Sequence, residues 1–228
     1  MLTLTTDGDI AHLDLGDDEN RFSPAWVQQA RDLLAEVAAR PSPRALVTTA
    51  GGRFFSNGLD LEWLVAHPDE AASYVASVHA LLADVLAFPA PTVAVVQGHA
   101  FAAGAMLALA HDTRVMRADR GFLCLPEVDI NIPFTPFMGA LIQAKLTPAA
   151  AVDAMTTGRR YGGLDALALG IVDRAVPAEE LMLTALEHVR PLAGKDGTTL
   201  GLIKQRMFAP ALAALADDAA LVAPGLPG

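Results

Sequence analysis

Two well-separated segments of this chain place small residues just ahead of a helix. The first is Phe54-Phe55-Ser56-Asn57-Gly58-Leu59-Asp60-Leu61, and the second is Val96-Gln97-Gly98-His99-Ala100-Phe101-Ala102-Ala103-Gly104-Ala105-Met106. The first N–H groups of a helix have no partner within it and can point at an incoming anion. Two such donors aimed at one oxygen stabilise negative charge as it develops there. A carboxylate follows in Leu125-Pro126-Glu127-Val128, and Glu127 is a candidate general base. Each feature also has an ordinary use. A Glu after Pro can sit in solvent or cap a helix, and Ala102–Ala105 can also serve close helix packing.

The elements that must position these residues follow from patterning. Thr3–Thr5 and Ile10–Leu15 read as strands around an Asp7-Gly8-Asp9 turn. Ser23-Pro24 starts a helix that runs toward Ala39, ended by Pro41 and Pro43. Arg44–Thr49 is a buried strand, Leu59–Val65 a short helix and Asp69–Phe88 a longer one. The strand Thr92–Val96 leads into the second small-residue helix. Thr113–Met116 and Phe122–Leu125 are further strands. This alternation predicts an α/β core with helices outside a mostly parallel sheet.

Beyond residue 133 the pattern turns helical, over Thr135–Lys145, Pro148–Thr156, Leu164–Leu169, Ala178–Val189 and Thr199–Leu215, with a short Ile171–Arg174 strand. We therefore expect an α/β core over 1–133 and a mostly helical region over 134–228, both in one structural unit. Val222–Gly228, with two Pro and two Gly, is expected to fray.

Composition narrows the function. The chain has 228 residues, is 53% hydrophobic and carries a net charge of −10. That suits one large core, and it argues against nucleic-acid or membrane-surface partners, which need clustered cations. Pro91–Ala110 is apolar, but Gln97, Gly98, His99 and Gly104 interrupt it, so a buried strand and helix are expected there and not a membrane span. Cys124 is the only cysteine, which excludes an intrachain disulfide and fits a reducing, cytoplasmic setting. Met1-Leu2-Thr3-Leu4 has no basic region before an apolar one, so no secretory signal is expected. No His, Cys or carboxylate set has metal-ligand spacing.

Taken together, the two opening segments, Leu125-Pro126-Glu127-Val128, and the run from Thr157-Gly158-Arg159-Arg160-Tyr161 to Gly170-Ile171-Val172-Asp173 resemble the crotonase family, also called the enoyl-CoA hydratase/isomerase superfamily. The resemblance covers Leu2 to Leu215. His111-Asp112 and Met116 to Gly121 look most like its Δ3,Δ2-enoyl-CoA isomerase branch. It implies a spiral core of ββα units and a helical C-terminal region that builds a trimer, or a hexamer of two trimers. It also implies an acyl-CoA substrate, with coenzyme A entering as part of that substrate and no separate cofactor.

Carried across residue by residue, the oxyanion donors are the N–H groups of Leu59 and Ala103, although the family usually carries Gly at the second. Family hydratases have two Glu, one at the position of Met106 and one in the acidic loop. Here Met106 stands beside a single Glu127. One base suits moving one proton, from C2 of a 3-enoyl-CoA to C4, and this gives the 2-enoyl-CoA. Met106 can also be an ordinary core residue. Burial beside Met106 and Phe134 should raise the Glu127 pKa. Asp129 and Asn131 are reserve candidates, and some peroxisomal relatives place their Glu near Phe134-Thr135, where this chain has no carboxylate.

Phe54, Phe55, Asn57, Gly58, Met106 and Phe134 are the expected substrate-binding set. Arg21, Arg53 and Lys204, with Arg206 near it, are the candidate cations for the CoA phosphates. His99 and His111 fit a core-edge hydrogen bond and a helix end better than catalysis. Trp63, Val78, Leu82 and Phe137 are expected to set the pocket depth. An enoyl-CoA hydratase working with Glu127 alone, and a weakly catalytic acyl-CoA-binding subunit, stand as alternatives.

Overall fold

The computed structural model describes residues 1–41 and 44–218. Pro43 and the Val222–Gly228 stretch lie outside the described residues. The chain opens with β1 (Thr3–Asp7) and β2 (Ile10–Asp14), joined by the tight turn at Gly8, and continues into β3 (Arg21–Phe22). Helix α1 (Pro24–Ala39) starts where Ser23 accepts the Trp26 N–H and Pro24 presets the first turn. Then come β4 (Ala45–Thr49), β5 (Phe54–Ser56), β6 (Gly58–Leu59), α2 (Leu61–Ala66) and α3 (Ala71–Leu86), the last preceded by a 3-10 turn at Pro68–Glu70. Next are β7 (Thr92–Val96), β8 (His99–Phe101), α4 (Ala103–Ala110), β9 (Thr113–Arg117) and β10 (Leu123–Cys124). The remainder is α5 (Pro136–Lys145), α6 (Pro148–Thr157), α7 (Gly163–Ala168), β11 (Arg174–Val176), α8 (Leu181–Val189), α9 (Gly197–Met207) and α10 (Ala209–Asp218).

The main sheet runs β1-β2-β4-β7-β9-β11, parallel throughout except for the β1–β2 hairpin. Its central strands are buried on both faces, as parallel strands flanked by helices must be. Side chains alternate accordingly. Ala45, Val47, Val93, Val95 and Val115 pack under Leu181, Ala185 and Val189 of α8. Leu46, Ala94, Val96 and Met116 point the other way, into the larger core that α1, α3, α4 and α5 share. A second, three-stranded sheet, β10-β8-β5, and the two-stranded β3–β6 pair carry the loops of interest.

The expected α/β architecture holds, with three local corrections. The predicted Ile171–Arg174 strand lies at Arg174–Val176, because the Ile171 and Val172 N–H groups close α7 onto the Ala166 carbonyl, at 2.8 and 3.2 Å. Leu59 belongs to a strand and not to a helix, since Gly58 and Leu59 pair with Arg21 and Phe22. The predicted Thr199–Leu215 helix is two helices that break at Phe208. Among the described residues, no helix is long and apolar enough to cross a membrane. The apolar Pro91–Ala110 stretch resolves into β7, β8 and α4.

Candidate active site

The two small-residue segments meet directly. Gly58 has φ +79°, and a Cβ there would stand 2.9 Å from the Phe101 carbonyl oxygen and 3.0 Å from the Ala103 nitrogen. At the next residue of the second segment, a Cβ on Gly104 would lie 2.4 Å from the Ser56 carbonyl oxygen. Glycine at both positions lets the two backbones touch. Ala103 is the first residue of α4, so its N–H has no partner within the helix. Ala102 precedes it at φ 50°, ψ −124°, conformations that L side chains rarely adopt. The Ala102 N–H donates to Cys124 O at 3.0 Å, and Ala102 O accepts from Met106 N–H at 3.0 Å, so both sides of the strained residue are fixed.

A scaffold that sequence reasoning missed holds the first segment. Asn20 is buried, with φ 48°, and its Nδ2 donates to the carbonyls of Phe54 and Phe55. The Ser56 hydroxyl donates to Asn20 O at 2.8 Å and accepts the Gly58 N–H at 3.1 Å. Asn57 is tied to Glu19 through main chain and side chain. The Tyr74 hydroxyl accepts the Asp60 N–H at 2.9 Å and donates to Phe22 O at 2.6 Å. These bonds clamp β6 and the start of α2 against β3. A polar residue such as Asn20 in a loop between strands gives no periodic signal, which is why pattern reading passes over it.

A cavity of about 370 Å³ opens in front of these loops. Leu59, Ala102, Ala103 and Glu127 line it together, with Leu61, Pro126, Ile130, Ile132 and Met138 supplying apolar wall. Arg21, Asn57, Glu62, Phe101 and Arg160 complete it. Glu127 is 5% exposed, and its Oε2 has no hydrogen-bond partner among the described residues. Burial pushes its carboxyl up to about 7, against a small opposing effect from a backbone hydrogen bond. The loop that carries it is closed by the Ile132 N–H donating to Glu127 O at 3.0 Å, with Asn131 at φ 57°. Glu62 also reaches the cavity, but its side chain is largely exposed and bound to Arg21 at 2.9 Å.

Other sequence candidates fall elsewhere. Phe55 and Met106 are fully buried in the main core and do not line the cavity, which removes them from the substrate-binding set. Phe54 packs on His99 and Phe101 and carries Arg53 over its ring at 5.3 Å, so neither Phe54 nor Arg53 lines the cavity. Val78, Leu82 and Phe137 are core residues, and Trp63 stacks on His67. None of the four is a wall of the cavity. Phe134 lines a neighbouring hollow that shares Glu127 with the first. Asp129 is turned toward Gly158, where a Cβ would meet its Oδ2 at 2.2 Å.

Lys204 is also corrected. It is 4% exposed, and its Nζ donates to Ala90 O at 2.8 Å and to Asp112 Oδ2 at 2.6 Å, so the side chain is spent inside the fold. Arg21 does reach the cavity, engaged by Glu19 and Glu62. His111 is buried between Leu107 O and Thr48 Oγ1, and burial holds it down to about 4, so it sits neutral at the helix end. His99 is lowered by burial and by the neighbouring arginines Arg53, Arg160 and Arg120. Arg160, over the Phe101 ring at 5.6 Å, is a cavity residue that reads as a purely structural motif in sequence.

An α/β core that brings a strained helix-start turn, a second turn and one buried carboxylate to a single cavity defines a class built for chemistry on a carbonyl group. The family model for enoyl-CoA hydratase/isomerase matches residues 6–222, and the chain belongs to that family. It is 36% identical over 228 residues to enoyl-CoA delta isomerase 3 of Arabidopsis thaliana, covering 95% of each chain. It is 40% identical over 221 residues to that plant's enoyl-CoA delta isomerase 2, peroxisomal, covering 91% of this chain and 92% of the other. A probable enoyl-CoA hydratase from Mycobacterium tuberculosis H37Rv superposes with a TM-score of 0.86 at 28% identity, over 97% of this chain and 94% of that one. The crotonase-like fold expected from the motifs is the fold observed.

Proposed function

We propose that this protein is an enoyl-CoA isomerase that converts 3-enoyl-CoA to 2-enoyl-CoA with Glu127 as its one base. The thioester oxygen takes the N–H groups of Leu59 and Ala103. Glu127 removes a proton from C2, and the electron pair passes into the thioester to give a dienolate with its charge on that oxygen. The same carboxyl then returns the proton to C4, the C3–C4 double bond becomes C2–C3, and the carboxylate is regenerated. No water is consumed, and coenzyme A takes part only as a portion of the substrate.

The observation that carries this reading is the environment of Glu127. A buried carboxylate with an unpartnered oxygen and a pKa near neutrality both accepts and returns a proton readily. Hydration would need a second acid to place water. Met106 occupies that position and is buried in the core, and Glu62 is exposed and paired with Arg21. The assembly would be a trimer, or a hexamer of two trimers, in the cytoplasm. Leu202, Ile203 and Met207, exposed apolar residues on α9, support association.

The test is a parallel assay of 3-hexenoyl-CoA and 2-hexenoyl-CoA with wild type and Glu127→Gln. Conversion of the 3-enoyl substrate without a hydroxyacyl product, lost in the variant while CoA-ester binding persists, supports the reading. Hydroxyacyl product from the 2-enoyl substrate would instead make the protein a hydratase. Binding without turnover of either substrate would make it an acyl-CoA-binding subunit.

A further inference from the structure

The catalytic cavity has a neighbour. A second hollow of about 530 Å³ is lined by Glu127, Val128, Asn131, Ile132, Pro133, Phe134 and Met155. Glu127 and Ile132 are the two residues that line both spaces. We infer that the Ile132 side chain is the partition between the catalytic cavity and this hollow, and that it sets the longest acyl chain the enzyme accepts. The inference rests on the acyl-CoA reading above.

The chemistry dictates where the chain must run. One carboxyl that serves both C2 and C4 lies alongside that three-carbon span, so the acyl chain beyond C4 leaves the reacting region at Glu127. Glu127 is the point at which the cavity borders the hollow, and Ile132 stands beside it at that border. The hollow is suited to a hydrocarbon: apart from Glu127 and Asn131, its walls are apolar. Ile132 is half-buried in a loop and not in the packed core, and its backbone is fixed by the bond to Glu127 O at 3.0 Å. Truncating the side chain therefore opens a passage without emptying a core site. Each methylene then admitted to an apolar environment should strengthen binding by roughly fourfold.

The experiment compares wild type, Ile132→Ala and Met155→Trp, the last placing a larger side chain on the wall of the hollow. Calorimetry with hexanoyl-CoA and decanoyl-CoA reads the partition independently of turnover. Relative to wild type, Ile132→Ala should favour decanoyl-CoA over hexanoyl-CoA by at least tenfold, and combining it with Met155→Trp should cancel that gain. Equal changes for both lengths, or a gain that survives Met155→Trp, would overturn the inference. In parallel, kcat/KM for 3-hexenoyl-CoA and 3-decenoyl-CoA should shift in the same sense. Wild-type failure with both enoyl substrates would sink the isomerase reading alone, since the binding ratios still decide the partition.

Discussion

The Ala103 nitrogen lies 3.0 Å from where a Cβ on Gly58 would stand. The loops that carry the Leu59 and Ala103 N–H groups, the proposed oxyanion donors, therefore pack together with room at Gly58 for a hydrogen but not for a methyl group. Gly58→Ala forces them apart and also places a side chain at φ +79°. We expect kcat/KM to fall by about 10²–10³-fold, the usual cost of a lost oxyanion donor. Binding of a saturated acyl-CoA should change much less. Steady-state kinetics with calorimetry on the same preparation measures both, and a loss that comes from a raised KM alone, with kcat unchanged, would contradict the assignment.

Ala102 occupies a backbone conformation suited to glycine, held from both sides by Cys124 O and Met106 N–H. Such strain costs on the order of 1–3 kcal/mol, and glycine's larger unfolded-state freedom offsets about 0.4–1 of it. Ala102→Gly should therefore raise stability by about 1 kcal/mol, or about 2–4 °C in Tm for a chain of this size. Thermal unfolding decides the matter, and a lower Tm would mean that the alanine methyl contributes packing that outweighs the strain.

Glu127 should control both rate and stability as pH changes. With its carboxylate as the proposed base, kcat/KM should rise tenfold per pH unit below about 7 and level off above it. Stability should run the opposite way. Burial raises the pKa from 4.5 to about 7, so the folded state holds the proton more tightly than the unfolded chain does. That contribution is complete below pH 4.5 and is lost as pH rises through about 7, a loss on the order of 3 kcal/mol. Glu127→Gln escapes it. Urea unfolding at pH 5 and pH 8 should show the variant gaining on wild type at the higher pH, and parallel curves would refute the buried-carboxylate account.

Lys204 separates a structural role from a substrate-binding one. Asp112 accepts both the Lys204 Nζ and the Thr92 N–H, so the ion pair pins α9 to the start of β7. Lys204→Met should destabilise the fold by roughly 2–3 kcal/mol, toward the lower end for breaking a buried pair because Asp112 is partly exposed. KM for the CoA substrate should stay the same. Unchanged stability with a raised KM would return Lys204 to the phosphate site.

What could be read from the sequence follows the range of the forces involved. Helix α1 is written locally, by the Ser23 cap and Pro24, and its observed limits match the expected ones. The strands β4 and β7 are written by β-branched runs. The two motif segments were legible as turns before helices, but their contact through Gly58 and Ala103 was not, because it depends on how distant segments meet. Two-residue strands such as β3 and β6 are too short for any period to show. Phe55 and Met106 were misplaced for a related reason. Being next to a site in sequence does not say which way a side chain points, and both point into the core. Glu127 stood out only beside its family motif, and its burial is a property of the folded loop.

The walls of the cavity come from stretches that are far apart along the chain: Arg21, Asn57 to Glu62, Phe101 to Ala103, Pro126 to Ile132, Met138 and Arg160. The clamp that holds Ala102 reaches forward to Cys124, and the clamp on Phe54 and Phe55 reaches back to Asn20. Each closure costs loop entropy before any contact repays it. The turn at Ala102 is thus held only once segments on both sides of it in the chain are in place. A nascent chain that has emerged only as far as α4 lacks Cys124 to hold Ala102 and lacks Glu127 altogether, so the cavity cannot be complete before the segment beyond β10 has been made.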